Sequence, residues 1–277
     1  MSGARAAATI LLVRDGVDGL EVFMVQRHRR SGFLPNAWVF PGGRVDPADA
    51  LHDHPAVIRP DALAAAFGVA VPEATALGVA GVRETFEEAG VWLGDGALPA
   101  ALRQGLHSGD VALGAALTAH GAAIALDRVS AWSWWVTPEA EPRRYDTRFL
   151  IAAAPPGEAR HDEHETVDSR WVNVAAAVAN QDLSAFPLAP PTWWTLHELA
   201  EHDAAAAALA THRPAERAVQ PIMEFVDTGI RLVLPGHAQH PAPAVPGLPD
   251  EITYDGGWIA WRAGRQLTPA PRARAGS

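Results

Sequence analysis

Short apolar runs alternate with polar, Gly- and Pro-rich connections along this chain. Residues 7–13 (Ala-Ala-Thr-Ile-Leu-Leu-Val) and 20–26 (Leu-Glu-Val-Phe-Met-Val-Gln) flank a turn-forming stretch from Arg14 to Gly19, a pattern that predicts a two-strand hairpin. An irregular stretch from Ser31 to Ala37 then leads to Trp38-Val-Phe-Pro-Gly-Gly43. Pro47, Pro55, Pro60 and Pro72 punctuate residues 47–74, leaving room for one short Ala-rich helix around Asp61–Phe67. A helix is predicted from about Thr75 to Ala89, stopped by Gly90. Residues 99–120 read as helical. Val129–Val136, Arg148–Ala153 and Ser169–Val174 read as strands, the last running into an Ala-rich helix. Beyond Pro187–Pro191 a helical annex is predicted from about Trp193 to Arg217. Strand-like pieces follow at Ile230–Leu234, Ile252–Tyr254 and Trp258–Trp261. There is no internal repeat and no heptad run, so the fold class is α+β.

The chain has 277 residues, 48% of them hydrophobic, which is enough to bury a sizeable core. Its 22 basic and 32 acidic side chains give a formal net charge of −10, which argues against a general nucleic-acid binder. A small anionic ligand in a local arginine pocket stays open, and every basic residue is arginine. The absence of cysteine excludes disulfides, thiolate catalysis and cysteine-based zinc sites. No apolar run approaches the roughly 18 residues needed to span a bilayer, so no membrane partner is expected. The N-terminal stretch lacks a signal-peptide core and Arg-Ala-Gly-Ser at the end is no recognised address, giving the expectation of a cytoplasmic protein.

The strongest chemical signal is Arg83-Glu-Thr-Phe-Glu-Glu-Ala-Gly-Val91. At about 100° per residue, Glu84, Glu87 and Glu88 share one narrow helical sector. Val79, Val82, Phe86 and Ala89 lie opposite, as a core-facing stripe should, whereas Leu77 fits poorly. Three like charges so close repel one another. A hard divalent cation, Mg²⁺ or Mn²⁺, relieves that repulsion because it prefers carboxylate oxygens. The bland alternative is a solvated acidic face.

This array resembles the second half of the Nudix box, G-x5-E-x7-R-E-U-x-E-E-x-G-U, with U a bulky aliphatic residue. Arg83, Glu84, Glu87, Glu88, Gly90 and Val91 match, while Thr85 is smaller than the usual U. The first half resembles Phe40-Pro-Gly-Gly-Arg-Val-Asp46. Gly and Arg stand fourteen positions apart in the unbroken pattern; Gly43 and Arg83 stand forty apart, an excess of twenty-six. The first pattern Glu falls on Asp49 counting forward and on Thr75 counting back, so Asp46, Asp49 and Glu73 are its candidate substitutes. A split box is similar to that of a Nudix branch that includes peroxisomal coenzyme A diphosphatases. Ser31–Gly43, Trp135–Pro138, Arg143–Phe149 and Pro190–Leu199 also resemble that branch. The resemblance covers roughly residues 8–200.

The resemblance implies the Nudix α/β/α sandwich with a mixed sheet, over residues 1–182, with an insertion at about 47–74. Residues 183–277 would form a C-terminal annex packed on the core. It implies hydrolysis of a diphosphate linkage in a nucleotide derivative, with coenzyme A or acyl-coenzyme A as the branch's substrate. It assigns metal binding to Glu84, Glu87 and Glu88, and to Arg83 the task of holding those carboxylates. A further acidic residue from a later loop is expected as ligand or base; Glu165 is favoured, with Glu163 close behind. Arg27, Arg29, Arg30, Arg143 and Arg144 form the pool for substrate phosphate. Gly42 and Gly43 are expected to bring backbone close to the metal and substrate. Tyr145 or a tryptophan such as Trp38, Trp134 or Trp135 is a candidate base platform. His52, His54, His161 and His164 read as surface residues rather than a zinc site. An alternative reading is a nucleotide-sensing module that has lost catalysis. The insertion and annex are also candidate contacts for a homodimer.

Overall fold

The computed structural model describes residues 3–29, 34–58, 61–157, 159–162, 166–179, 185–211, 215–227 and 229–268. The first two apolar runs form a long hairpin of β1 (Arg5–Gly16) and β2 (Gly19–Arg27), closed by Gly19 at φ 112°, a conformation that favours a residue without Cβ. The short strands β3 (Trp38–Val39) and β4 (Gly42–Arg44) follow, then a 3₁₀ turn (Pro47–Asp49) and β5 (Val57–Ile58). Helices α1 (Asp61–Phe67) and α2 (Val71–Ala89) precede β6 (Gly94–Asp95), α3 (Leu102–Ser108), α4 (Leu113–His120) and β7 (Ala123–Ala125). Next come β8 (Val129–Val136), β9 (Tyr145–Ala153) and β10 (Thr166–Asn173), then α5 (Val174–Ala179), α6 (Pro190–Leu199) and α7 (Ala205–Leu209). The last part is β11 (Ile222–Val226), β12 (Gly229–Val233), β13 (Glu251–Tyr254), β14 (Trp258–Arg262) and β15 (Arg265–Gln266).

The main sheet runs β10-β2-β1-β9-β8, with β3 beside β2 and β4 beside β1. It is mixed, because β1 and β9 are parallel while its other pairs are antiparallel. Period-two alternation gives each strand two apolar faces. Ala8, Ile10, Leu12, Phe23 and Val25 join the core that contains Val79, Val82 and Phe86 of α2. Leu11, Val13, Val22 and Met24 join the other core, with Trp193 and Leu196 of α6 and Leu232 and Trp258 of the last sheet. Covering both faces makes the expected α/β/α sandwich. The insertion is tied in by a small sheet in which β5 and β6 flank β7.

Several expectations need correction. The glutamate helix starts at Val71 rather than Thr75; Pro72 sits in its first turn, where a missing N–H costs nothing. Leu77, poorly placed on an amphipathic wheel, is buried because almost the whole helix from Ala74 onward is. Residues 99–120 are two helices, separated by Gly109 at φ 78°. The long annex helix does not form: α6 and α7 are short, and β11 appears without a sequence prediction. Tertiary contacts decide this. The Ala205 N–H, at the start of α7, donates to Asp15 in the first hairpin at 2.7 Å, so a separate helix begins there, and beyond the predicted span Val219 bridges to Trp135 on the edge strand β8.

Thr85 is fully buried on α2, and its hydroxyl has no hydrogen-bond partner among the described residues. Replacing it with the isosteric Val restores the aliphatic character of the box position. Thr85→Val is expected to raise stability by about 1 kcal/mol in denaturant melts; a destabilised variant would show that the hydroxyl has a partner.

Candidate active site

The acidic face of α2 is not solvated. Glu84, Glu87 and Glu88 are 9%, 3% and 3% exposed, which overturns the bland reading. They are covered by β4, by the 3₁₀ turn and by α3. Arg83 lies at the centre. Its Nε and one terminal nitrogen donate to the two oxygens of Asp49 at 2.8 and 3.0 Å, a fork matched to a carboxylate. The other terminal nitrogen donates to Glu84 at 3.0 Å and to both Glu87 oxygens at 3.3 Å, and the Arg44 carbonyl is also held at 3.0 Å. Burial alone would lower the Arg83 pKa. The Asp49 hydrogen bond and the charges of Glu84, Asp49 and Glu87 outweigh it and raise the value. Burial pushes the Glu87 carboxyl up, partly offset by Arg83 and His107.

Among the three candidate substitutes for the first box acid, Asp49 is the one that grips Arg83; it is fully buried and also accepts the Asp46 N–H at 2.8 Å. Asp46 stands 3.8 Å from Arg83 with its side chain half exposed. Glu73 is on α2, near Arg148 at 3.9 Å instead. Asp49, the position reached by counting forward from Gly43, is thus the one of the three that meets the guanidinium.

The two box glycines act on the carboxylates directly. The Gly42 N–H donates to Glu88 at 3.0 Å. A Cβ on Gly43 would lie 2.4 Å from the Glu84 carboxylate, and one on Gly42 would lie 2.5 Å from the backbone of Ala8 and Thr9. The consequences differ because a side-chain end can move and a sheet backbone cannot. Gly43→Ala is expected to fold, with its melting temperature little changed, but to lose about tenfold or more in kcat/KM through a displaced Glu84. Gly42→Ala is expected to lower the melting temperature as well. Equal behaviour of the two variants in thermal melts and kinetics would contradict this assignment.

An open cleft of about 940 Å³ adjoins this face. Gly42, Gly43, Arg83, Glu84 and Glu87 line its charged part, with Arg27 and Arg143 from the predicted arginine pool and Tyr145, a candidate base platform. Arg44 and His107 line it too and were missed. His107 comes from α3 and stands 3.7 Å from Glu87, a contact no local pattern signals. Arg144 does not join the lining: its Nε donates to the Thr137 carbonyl at 3.1 Å. Arg29 is exposed and is not among the lining residues, and Arg30 lies outside the described residues. Trp38 is fully buried, and Trp134 is covered by the Arg148 guanidinium at 3.6 Å, so neither is an open base platform. Trp135 lines the cleft.

Glu163, His164 and Glu165 lie outside the described residues. The chain just before them is fixed at the C-terminal end of α2: the Arg160 N–H donates to the Ala89 carbonyl at 2.9 Å, and Arg103 bridges the Glu87 and Arg160 carbonyls. His161 contacts Ser169, His52 pairs with Asp53, and His54 accepts the Ala56 N–H.

Whether these residues suit a divalent metal is a question of donor chemistry. Among the described residues no three His, Cys, Asp or Glu side chains are gathered as a ready coordination set. The donors do fit: three glutamates within two helical turns offer only hard oxygens, in a buried, acidic setting where Arg83 contributes a single positive charge.

This mixed-sheet sandwich, with its split box folded back into one site, defines a class. The chain belongs to the Nudix hydrolase family. A solved Nudix hydrolase from Alicyclobacillus acidocaldarius is 30% identical, with a TM-score of 0.67, covering 78% of this chain and 99% of that one. Among curated proteins, the acyl-coenzyme A diphosphatase NUDT19 of Gallus gallus is 28% identical over 229 residues, 65% of this chain and 61% of its own. The human protein of the same name is 26% identical over 237 residues, 66% of this chain and 61% of its own. The chain thus spans about three fifths of the length of these relatives. No protein-family model matches it.

Proposed function

We propose that this protein hydrolyses the diphosphate linkage of coenzyme A or an acyl-coenzyme A, with Mg²⁺ or Mn²⁺ held by Glu84, Glu87 and Glu88. The observation that carries this reading is the buried glutamate array, locked by Arg83 and Asp49 and opening onto a cleft lined by Arg27 and Arg143. The name shared by the curated relatives supports the substrate. When bound, the metal supplies charge neutralisation of the diphosphate and acidifies water.

The chain's own residues do the positioning. Gly42 fixes Glu88, and Arg83 fixes Glu84 and Glu87, so the donors are ordered before substrate arrives. Arg27 and Arg143 present forks suited to phosphate oxygens. Glu165, with Glu163 close behind, is the candidate for a further ligand or base; both lie outside the described residues.

The test is incubation with Mg²⁺ or Mn²⁺ and a panel of coenzyme A, acyl-coenzyme A, NADH, ADP-ribose and nucleoside triphosphates, with products read by mass spectrometry. Phosphopantetheine and 3′,5′-ADP are the expected products from coenzyme A. Cleavage of another member only would keep the chemistry and replace the substrate. Tight nucleotide binding without cleavage would make the protein a sensor.

A further inference from the structure

The cleft joins two chemistries. Its charged part lies beside β4 and α2. Another part is built by the C-terminal sheet, which contributes Met223, Ile230, Leu232 and Trp258. Cross-strand pairing explains why these four side chains act together. Met223 opposes Leu232, Ile230 opposes Tyr254, and Tyr254 opposes Trp258, so all stand on one face of the sheet. The opposite face carries Arg231, held to Glu251 at 2.7 Å and to Glu224 at 2.9 Å. That polar cluster commits the apolar face inward. Leu232 and Trp258 are buried in the second core, whereas Met223 and Ile230 are only partly buried where they line the cleft.

The sheet register gives the separation. Gly43 opposes Ala8, Ala8 opposes Arg148, Arg148 opposes Trp134, and Val219 bridges to the neighbouring Trp135. Four strand spacings put Val219, and Pro221 just after it, about 19 Å from the box glycines. The wall spans that distance: Trp258 is tied to Leu188, which bridges to Trp38 four residues before Gly42, whereas Met223 follows Pro221 at the far edge, so a ligand whose diphosphate sits at the glutamates reaches Met223 only with a long arm.

The wall's chemistry selects the end of that arm. Among these four side chains the one N–H, the Trp258 indole, already donates to the Leu188 carbonyl at 2.8 Å. Thioether, branched aliphatic and indole carbon surfaces offer a nucleobase edge nothing to bond, and an unmatched polar edge is costly to bury. An aliphatic chain loses nothing there.

We propose that the C-terminal sheet forms an apolar subsite, with Met223 and Ile230 as its specificity-determining residues, that takes the aliphatic tail of an acyl thioester carried on a long arm from the diphosphate. This inference rests on the proposed function and deepens it: the annex makes the enzyme prefer long acyl-coenzyme A over free coenzyme A.

The experiment compares kcat/KM for free coenzyme A, acetyl-coenzyme A and palmitoyl-coenzyme A in the full chain and in Met223→Ser, Ile230→Ser and the space-filling Ile230→Trp. Each methylene that enters the subsite raises kcat/KM by up to about fourfold, so the wild type favours the palmitoyl substrate. Ile230→Trp lowers the palmitoyl-to-free ratio about tenfold or more, and the serine variants lower it in the same direction. Thermal melts identify which variants remain folded, and three substitutions of different size guard against the loss of one. A ratio unchanged in the folded variants, or a wild type indifferent to chain length, overturns the subsite while leaving the coenzyme A reading in place. Failure of the wild type to cleave any coenzyme A derivative removes that reading, and the subsite with it.

Discussion

Glu87→Gln and Glu88→Gln are each expected to lower kcat/KM by about a hundred- to a thousandfold, the scale associated with losing one preorganised charge-stabilising group. Glutamine keeps the shape of the side chain but offers a cation one neutral oxygen in place of a carboxylate. Both residues are almost fully buried, so little repacking is required. The fold should survive. For Glu87 it should gain slightly, because burial makes the ionised carboxyl unfavourable and pushes its pKa up despite Arg83. The check is steady-state kinetics beside thermal denaturation without added metal. Lost turnover with an equal or higher melting temperature is the expected signature. Wild-type rates in both variants would remove these glutamates from the reaction.

Arg83→Met is expected to act on stability first. It leaves the fully buried Asp49 without its guanidinium fork and takes a donor from Glu84 and Glu87. Breaking a buried charge pair on one side costs about 3–5 kcal/mol, because the remaining charge stays desolvated. In a chain of this size that lowers the melting temperature by about 10 °C. Arg83→Lys should recover only part of it, since an ammonium cannot reproduce the fork. The double variant Asp49→Leu with Arg83→Met should be more stable than Arg83→Met alone, because the stranded carboxylate is gone. A loss under about 1 kcal/mol, or no coupling between the two positions, would show that Asp49 does not complete the box.

The site divides by how far apart its parts lie in sequence. Glu84, Glu87, Glu88 and Arg83 were legible because a helix turns spacing into direction. The strand Val129–Val136 and the first hairpin were legible because their apolar runs are short and bounded by turn residues. The burial of the acidic face was not legible. A wheel shows which residues share a side, not that β4, a 3₁₀ turn and α3 will cover that side. Arg144 illustrates the same limit: it sits one position from Arg143, just before β9 begins, yet its Nε goes to the Thr137 carbonyl and it does not join the cleft lining. His107 carried no signal at all, since its relation to Glu87 exists only once α3 has docked.

By itself the sequence determined the α+β class, the hairpin and the glutamate helix, because each depends on periodicity or spacing within a few turns, while the two halves of the split box were legible through their resemblance to the Nudix pattern. It also left three acids competing for one role. Only the tertiary structure separates them by contact, closing the chain between Gly43 and Arg83 so that Asp49 meets the guanidinium across thirty-four positions. It likewise set the C-terminal sheet against the cleft, through Val219 on the edge of β8 and Trp258 on the Leu188 carbonyl. Such contacts depend on where whole elements pack, and local patterns of apolar and polar residues do not encode that placement.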